Sequence, residues 1–417
     1  MDILRGVVGY SSLSLLNSVI NICFQISVLL LLGINDFGVF AYILAVSQTI
    51  EGISNSQSWQ GCIRFITKTP VHRNNSKLFS YFENLLKVDL INISIAIILC
   101  IFSVIIFEQL SKITFLVMLL LLVLPRLMNI QIGLLRVNDS FITIVLIQII
   151  CSVLRLISIL AFYLSGSLTI EIVLFSYAFG EVLIAFLNFW FAYIKYKILD
   201  WNEVSVSKVI KNNISQEVKR FQIITHANAS SVLAVRYIDE LILGILLSFE
   251  ILGIYKLSKL AYSILFKFVE PASIFIFPRL SQTFSKGRLF FRDVSKLFIF
   301  SFFIFGFSVF FYFFFPSIEI LISNFIPDIY LKNLELFQVM IFAAILNLGL
   351  FYAHPLAISV KKEFSVLLLN IILGIIYLIF CFKMGEAYGA IGIAWTFVSY
   401  TTLSNICRVS LAITKLK

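Results

Sequence analysis

Apolar runs of about 20 residues recur from end to end of the chain, each followed by a short polar or charged stretch. They fall at roughly 8–32, 37–59, 88–107, 113–135, 140–164, 169–194, 223–247, 252–277, 296–318, 334–358, 364–383 and 387–411. Each is near the length that crosses about 30 Å of hydrocarbon. Backbone polar groups in lipid must be satisfied within the segment or in a closed barrel. Barrel strands alternate apolar and polar residues, and these runs do not. The pattern therefore predicts an all-α polytopic membrane protein with about 12 transmembrane helices.

The polar stretches set the orientation, because cytoplasmic loops collect Lys and Arg. With the N-terminus inside, the inner loops hold Arg64, Lys68, Arg73, Lys77 and Lys87; Arg136; Lys195, Lys197, Lys208, Lys211, Lys219 and Arg220; Arg279, Lys286, Arg288, Arg292 and Lys296; Lys361 and Lys362; and the tail Lys415 and Lys417. The outer loops hold Lys112, Lys332 and Lys383 against seven acids between Asp36 and Glu386. This alternation predicts cytoplasmic N- and C-termini. It also explains the net charge of +10 by topology, so nucleic acid is not an expected partner. The longest loops, 60–87, 195–222 and 278–295, are all internal. Short outer loops leave little room for the catalytic groups of a membrane polysaccharide polymerase or glycosyltransferase. The first run carries Ser14, Ser18, Asn21 and Gln25, which reads as a retained helix rather than a cleaved signal.

Composition adds exclusions. At 60% hydrophobic and 13% charged residues, no soluble class fits. The six cysteines lie singly, without a CxxC or a Cys/His cluster, and the three histidines lack ligand spacing. Walker A, HExxH and Ser/His/Asp patterns are missing, so the expectation is a non-enzyme with no metal and no cofactor.

Charges inside the spans change the picture most. The hairpin at 230–282 carries Arg236, Asp239, Glu240, Lys256, Lys259, Lys267 and Glu270. A charge at the bilayer centre costs a few kcal/mol or more, so such groups face a bundle interior or a watery cavity. At about 100° per residue, Lys256, Lys259, Ser263, Lys267 and Glu270 fall within an arc of about 80°. Lys256 sits close enough to the outer interface to snorkel, whereas Lys267 does not. Arg236 stands three and four residues before Asp239 and Glu240, spacings that allow pairing within one helix. Elsewhere Glu51, Arg126, Arg155 and Glu181 add single charges, and span twelve carries Thr401, Asn405 and Arg408. Arg126, Arg155, Arg236, Lys256, Lys259 and Lys267 are the candidate cavity cations, a set suited to an anionic ligand. Glu51, Glu181, Asp239, Glu240 and Glu270 are the candidate groups for a coupling ion.

A short internal repeat matches 29–48 with 243–262, each with an acid and then a Gly before the next helix, Gly38 and Gly253 lying about half a chain apart. Such symmetry marks transporter folds. Several stretches resemble the bacterial oligosaccharide (O-antigen and polysaccharide) flippases of the multidrug/oligosaccharidyl-lipid/polysaccharide exporter superfamily: NDFGVFAYILAVSQTIEG (35–52), SQSWQGCIRF (56–65), LLRVNDSFITIVLIQIICSVLRL (134–156), RYIDELILGILLSFEILGIYKLSKLAY (236–262), PRLSQ (278–282) and AYGAIGIAWTFVSY (387–400). The resemblance implies a MATE-like fold of two six-helix lobes, 1–210 and 211–417, around a cavity open to one side at a time. It implies a polyprenyl-diphosphate-linked oligosaccharide as cargo, moved from the cytoplasmic to the periplasmic leaflet. Lipid bilayer, H⁺ or Na⁺, and polysaccharide-assembly membrane proteins are the further partners it suggests. From the matched stretches it implies Arg155, Arg236, Asp239, Glu240, Lys256 and Lys259 as cavity residues; Arg126 and Lys267 are assigned by their depth. A MATE-type cation-coupled drug antiporter is the alternative on the same fold.

Overall fold

Helix periodicity and the absence of strand patterning carry through to the three-dimensional structure. The computed structural model describes residues 2–66, 75–105, 111–137, 140–195, 215–267, 280, 288–322, 333–360 and 362–414. Fifteen helices lie among them: α1 (Asp2–Leu32), α2 (Ile34–Ser54), α3 (Ser58–Ile66), α4 (Asn75–Val104), α5 (Lys112–Leu127), α6 (Ile130–Val137), α7 (Phe141–Leu164), α8 (Ile170–Lys195), α9 (Gln216–Arg236), α10 (Ile238–Leu246), α11 (Phe249–Lys267), α12 (Arg288–Ile322), α13 (Leu334–Gly349), α14 (Ala353–Ser359) and α15 (Glu363–Ile413). Nine helical stretches among the described residues are long and apolar enough to cross a membrane. They cover ten of the expected spans, because Phe364–Ile413 contains both the eleventh and the twelfth. Gly389, at φ 62°, bends that stretch in two. The chain is a multi-pass membrane protein.

Four expected spans are interrupted, the tenth of them between the end of α13 at Gly349 and the start of α14 at Ala353. The second ends at Ser54 and resumes as α3 at Ser58. The fourth stops at Leu127, just past Pro125, and resumes as α6 at Ile130. The seventh stops at Arg236 and resumes as α10 at Ile238. The third begins earlier than its expected start at residue 88, because α4 runs from Asn75.

Packing divides the chain into two units. The first comprises residues 1–33 and Ile43–Tyr237; the second comprises Ile34–Tyr42 and Ile238–Lys417. The boundary falls beyond the expected 210/211 because α9 packs on α3 and α4. In the first unit α1 packs on α7, α7 and α5 on α8, and α3 on α4 and α6. A cluster of Cys62, Phe65, Phe82, Leu85, Ile130 and Leu134 fills the space among α3, α4 and α6. In the second unit α13 is central, contacted by α11, α12 and α15. The outward face of α12 is the most lipid-like surface, with Phe302 76% exposed. An apolar face of that kind is stable only where the solvent is itself apolar.

Candidate functional site

Each unit gathers four of its intramembrane charges into one buried cluster. In the first unit Glu51 comes from α2, Arg126 from α5, Arg155 from α7 and Glu181 from α8. Arg126 Nη1 donates to Glu51 Oε2 at 3.3 Å, and its Nη2 donates to Glu181 Oε1 at 3.1 Å. Arg155 Nη2 donates to the same Glu181 oxygen at 2.9 Å. The Tyr177 ring lies 4.4 Å from the Arg155 guanidinium carbon, a cation–π contact. Gly180 makes this possible, since a Cβ there would collide with Arg155 Nε. Glu51 is the most exposed member, at 23%.

In the second unit the interruption at Tyr237 is what positions the acids. Asp239 and Glu240 fall in the first turn of α10, where free backbone N–H groups favour negative charge. Both are 0% exposed. Lys259 Nζ donates to Asp239 Oδ1 and Oδ2 at 2.8 and 2.7 Å and lies 3.1 Å from Glu240 Oε1. Lys256 Nζ donates to Glu240 Oε2 at 2.8 Å, and Tyr255 Oη donates to Asp239 Oδ2 at 2.6 Å. Lys256 therefore turns toward an acid instead of snorkelling. The ion pairs resolved at Asp239 and Glu240 run to α11 rather than along one helix to Arg236, which ends α9 and is exposed. Lys267 closes α11, its side chain outside the description, and Glu270 lies outside the described residues.

The consequence is electrical. Among the described residues two acids meet two bases in each cluster, so these paired groups are formally neutral. Arg126, Arg155, Lys256 and Lys259, four of the six expected cavity cations, are each paired with an acid. Sequence reasoning counted charges by span, and pairing across helices is a tertiary property.

Arg408 is the cation that the sequence left out of the candidate set. It sits on the last turns of α15, among amides. Its Nη1 donates to Asn405 Oδ1 at 3.1 Å and its Nη2 to Asn370 Oδ1 at 2.9 Å. Asn405 Nδ2 donates to Asn347 Oδ1 at 2.7 Å, and Asn347 Nδ2 to Thr401 Oγ1 at 3.0 Å. Arg408 Nε and Asn370 Nδ2 are buried donors with no acceptor among the described residues. No described carboxylate lies within ion-pair distance of Arg408. The available signal was the absence of any acid in 397–413 alongside Asn405 one turn before.

Asp89 is the second omission. Its Oδ2 accepts the Asn129 and Ile130 N–H groups, both at 3.2 Å, and so caps α6. The neighbouring break carries Asn55, whose Oδ1 accepts Asn129 Nδ2 at 2.9 Å and Gln57 N–H at 2.8 Å. Two interrupted helices are thus stitched together at depth, an arrangement found where transporters line a binding site. Among the described residues no His/Cys/Asp/Glu group could hold a metal ion, and all six cysteines are free.

No protein-family model matches the chain, and no curated protein matches it. Solved structures do match its fold. An inward-facing multidrug-resistance MATE-family transporter of the MOP superfamily superposes with a TM-score of 0.64 at 12% identity, over 96% of this chain and 94% of that one. An outward-facing MATE-family transporter gives 0.57 at 12% identity, over 99% and 95%. This chain has the MATE-type fold. A further neighbour is a MOP-superfamily transporter from Pyrococcus furiosus, described by a reversed binding-pocket polarity that suggests a different function; it gives a TM-score of 0.51 at 12% identity, over 99% of this chain and 95% of that one.

Proposed function

We propose that the protein is a flippase. It moves a polyprenyl-diphosphate-linked oligosaccharide from the cytoplasmic to the periplasmic leaflet of the inner membrane by alternating access. The observation that carries this reading is Arg408. A guanidinium with no described carboxylate in reach, bonded to two amides and with an Nε that has no acceptor among the described residues, is suited to the paired oxygens of a diphosphate. With the C-terminus cytoplasmic, this end of α15 lies at the inner leaflet, where the lipid diphosphate resides before transport. The matched stretches of sequence support the same cargo class. The two neutral clusters then serve the conformational cycle. Protonation, or H⁺ or Na⁺ binding, at Glu51, Glu181, Asp239 or Glu240 loosens an ion pair and shifts the balance of states. Arg236 and Lys267 remain cargo candidates. No covalent step is required, and polysaccharide-assembly enzymes of the same membrane supply and consume the cargo.

The test is Arg408→Gln in cells that make the surface polysaccharide. Surface polysaccharide is expected to fall at least tenfold, with lipid-linked oligosaccharide accumulating on the cytoplasmic face and protein levels in the membrane unchanged. Arg408→Lys keeps the charge but not the fork and is expected to retain partial transport. Normal polysaccharide in Arg408→Gln removes the basis for this reading.

A drug antiporter is the second reading. It is favoured by the neutrality of both clusters, which removes the argument that cations there exclude cationic drugs. Increased drug resistance on expression, with unaltered polysaccharide on deletion, selects it.

A further inference from the structure

A groove with a volume of about 480 Å³ runs between α4 and α8 in the first unit and is floored by α6. The floor is closed, with Ile130 and Leu134 almost fully buried. The sides are open: Leu90 on α4, Met128 at the α5–α6 break, and Trp190 and Tyr193 on α8 are between 38% and 51% exposed. Asp89 and Gln131 also border the groove, but their unpaired oxygens are buried and offer nothing to a ligand. Both side helices are membrane spans, so an apolar groove that opens sideways on them meets lipid. Hydrocarbon is what it can hold.

Its length narrows the choice of hydrocarbon. Along α4 the lining runs from Phe82 to Ile93, which is about 16 Å at 1.5 Å per residue. One leaflet is half of a hydrocarbon core about 30 Å thick. The groove is therefore as long as one phospholipid acyl chain reaches into its leaflet, and a polyprenyl chain outruns it. Phe82 and Tyr193 lie within two residues of the ends of their spans, Ser80–Val104 and Ile170–Ile194. With the N-terminus cytoplasmic, these are the cytoplasmic ends, so the groove occupies the inner leaflet.

Charge narrows the headgroup. Lys87 stands three and four residues before Leu90 and Ile91, both exposed, and so shares their lipid-facing side. Side chains on a helix lean toward its N-terminus, here the cytoplasmic end, so the Lys87 stem leads back to the head of the groove. A lysine at that depth keeps its ammonium at the interface. On the other side of the groove, Lys195 ends α8 two residues beyond Tyr193. Basic residues at the head of a leaflet-long apolar groove favour an anionic lipid.

We propose that this groove binds an anionic phospholipid of the cytoplasmic leaflet, with one acyl chain between Leu90 and Trp190 and the headgroup phosphate at Lys87. Met128 brings the chain against the α5–α6 break, so the bound lipid braces the interrupted helix. The site belongs to the first unit, whereas Arg408 belongs to the second, and it stands whether or not the cargo is a lipid-linked oligosaccharide.

The experiment uses the full chain in phosphatidylcholine nanodiscs doped with phosphatidylglycerol or phosphatidylcholine that carries a diazirine midway along one acyl chain. After illumination, mass spectrometry locates the adducts. Phe302, on the outward face of α12, is the reference for unselective contact with lipid. Relative to it, labelling of Leu90, Met128 and Trp190 is expected to be about fivefold greater with phosphatidylglycerol than with phosphatidylcholine. Lys87→Gln is expected to erase that difference while labelling by phosphatidylcholine persists. Equal labelling of the groove by the two lipids in the parent, or a Lys87→Gln protein that still prefers phosphatidylglycerol, overturns the proposal. So does displacement of the label by undecaprenyl phosphate in preference to unlabelled phosphatidylglycerol, which assigns the groove to an isoprenoid chain.

Discussion

Lys259→Met is expected to destabilise the protein by about 3–5 kcal/mol, because it leaves Asp239 and Glu240 buried with too little positive charge. Met matches the length of the lysine stem, so the lost packing is small and the change is electrostatic. Lys256 still answers Glu240, but Asp239 keeps only the Tyr255 hydroxyl and the Glu240 N–H. Thermal unfolding of purified protein measures the effect, with the yield of monodisperse protein from membranes as a second readout. The double variant Lys259→Met/Asp239→Asn restores neutrality and is expected to recover most of the loss. Such coupling is expected of groups sharing one network. A single variant as stable as the parent contradicts the ion-pair geometry.

Gly38→Ala is expected to destabilise despite alanine's advantage of about 1 kcal/mol within a helix. A Cβ at Gly38 collides with the carbonyl oxygen of Phe249, which is backbone and cannot rotate away. At Gly253 an added Cβ meets the Ile34 carbonyl oxygen and lies 3.3 Å from Gly38 N. Overpacking of this kind costs about 1–3 kcal/mol, and more where only backbone can yield. The first turns of α2 have to move off α11 as a body. Gly253→Ala is expected to act in the same direction. The double variant is expected to lose less than the sum, since one separation relieves both clashes. Unfolding temperatures of the three variants check this, and an additive loss means that the two glycines do not share a contact.

These two sites show how differently sequence and structure contributed. The internal repeat drew attention to Gly38 and Gly253, and the structure brings the two into one helix crossing. A helix crossing needs small residues, and small residues are visible in a string. Lys256, Lys259, Asp239 and Glu240 were also singled out from the string, but their partners were not. The expected pairs followed i, i+3 and i, i+4 spacing from Arg236. The interruption at Tyr237 ends that helix, and α11 supplies the bases instead. No turn signal marks Tyr237, so continuous helix was the natural expectation. Asp89 escaped notice because it stood at the edge of an expected span beginning at residue 88. Once α4 starts at Asn75, the same carboxyl lies well inside the helix and reaches the α6 break.

The sequence by itself determined the solvent, the secondary structure and most of the spans. Each follows from local quantities: the length of an apolar run, the lack of alternation, and the cost of an unsatisfied backbone group in lipid. Only the tertiary structure decided which charges cancel. Glu51, Arg126, Arg155 and Glu181 come from four helices, and no periodicity relates them. Coulomb energy depends on separation in space and on the local dielectric, and both are set when helices pack. That is why Arg126, Arg155, Lys256 and Lys259, which read as cavity cations along the string, are paired with acids in the fold, while Arg408, noted in the string only as part of a polar seam, meets two amides and no described carboxylate.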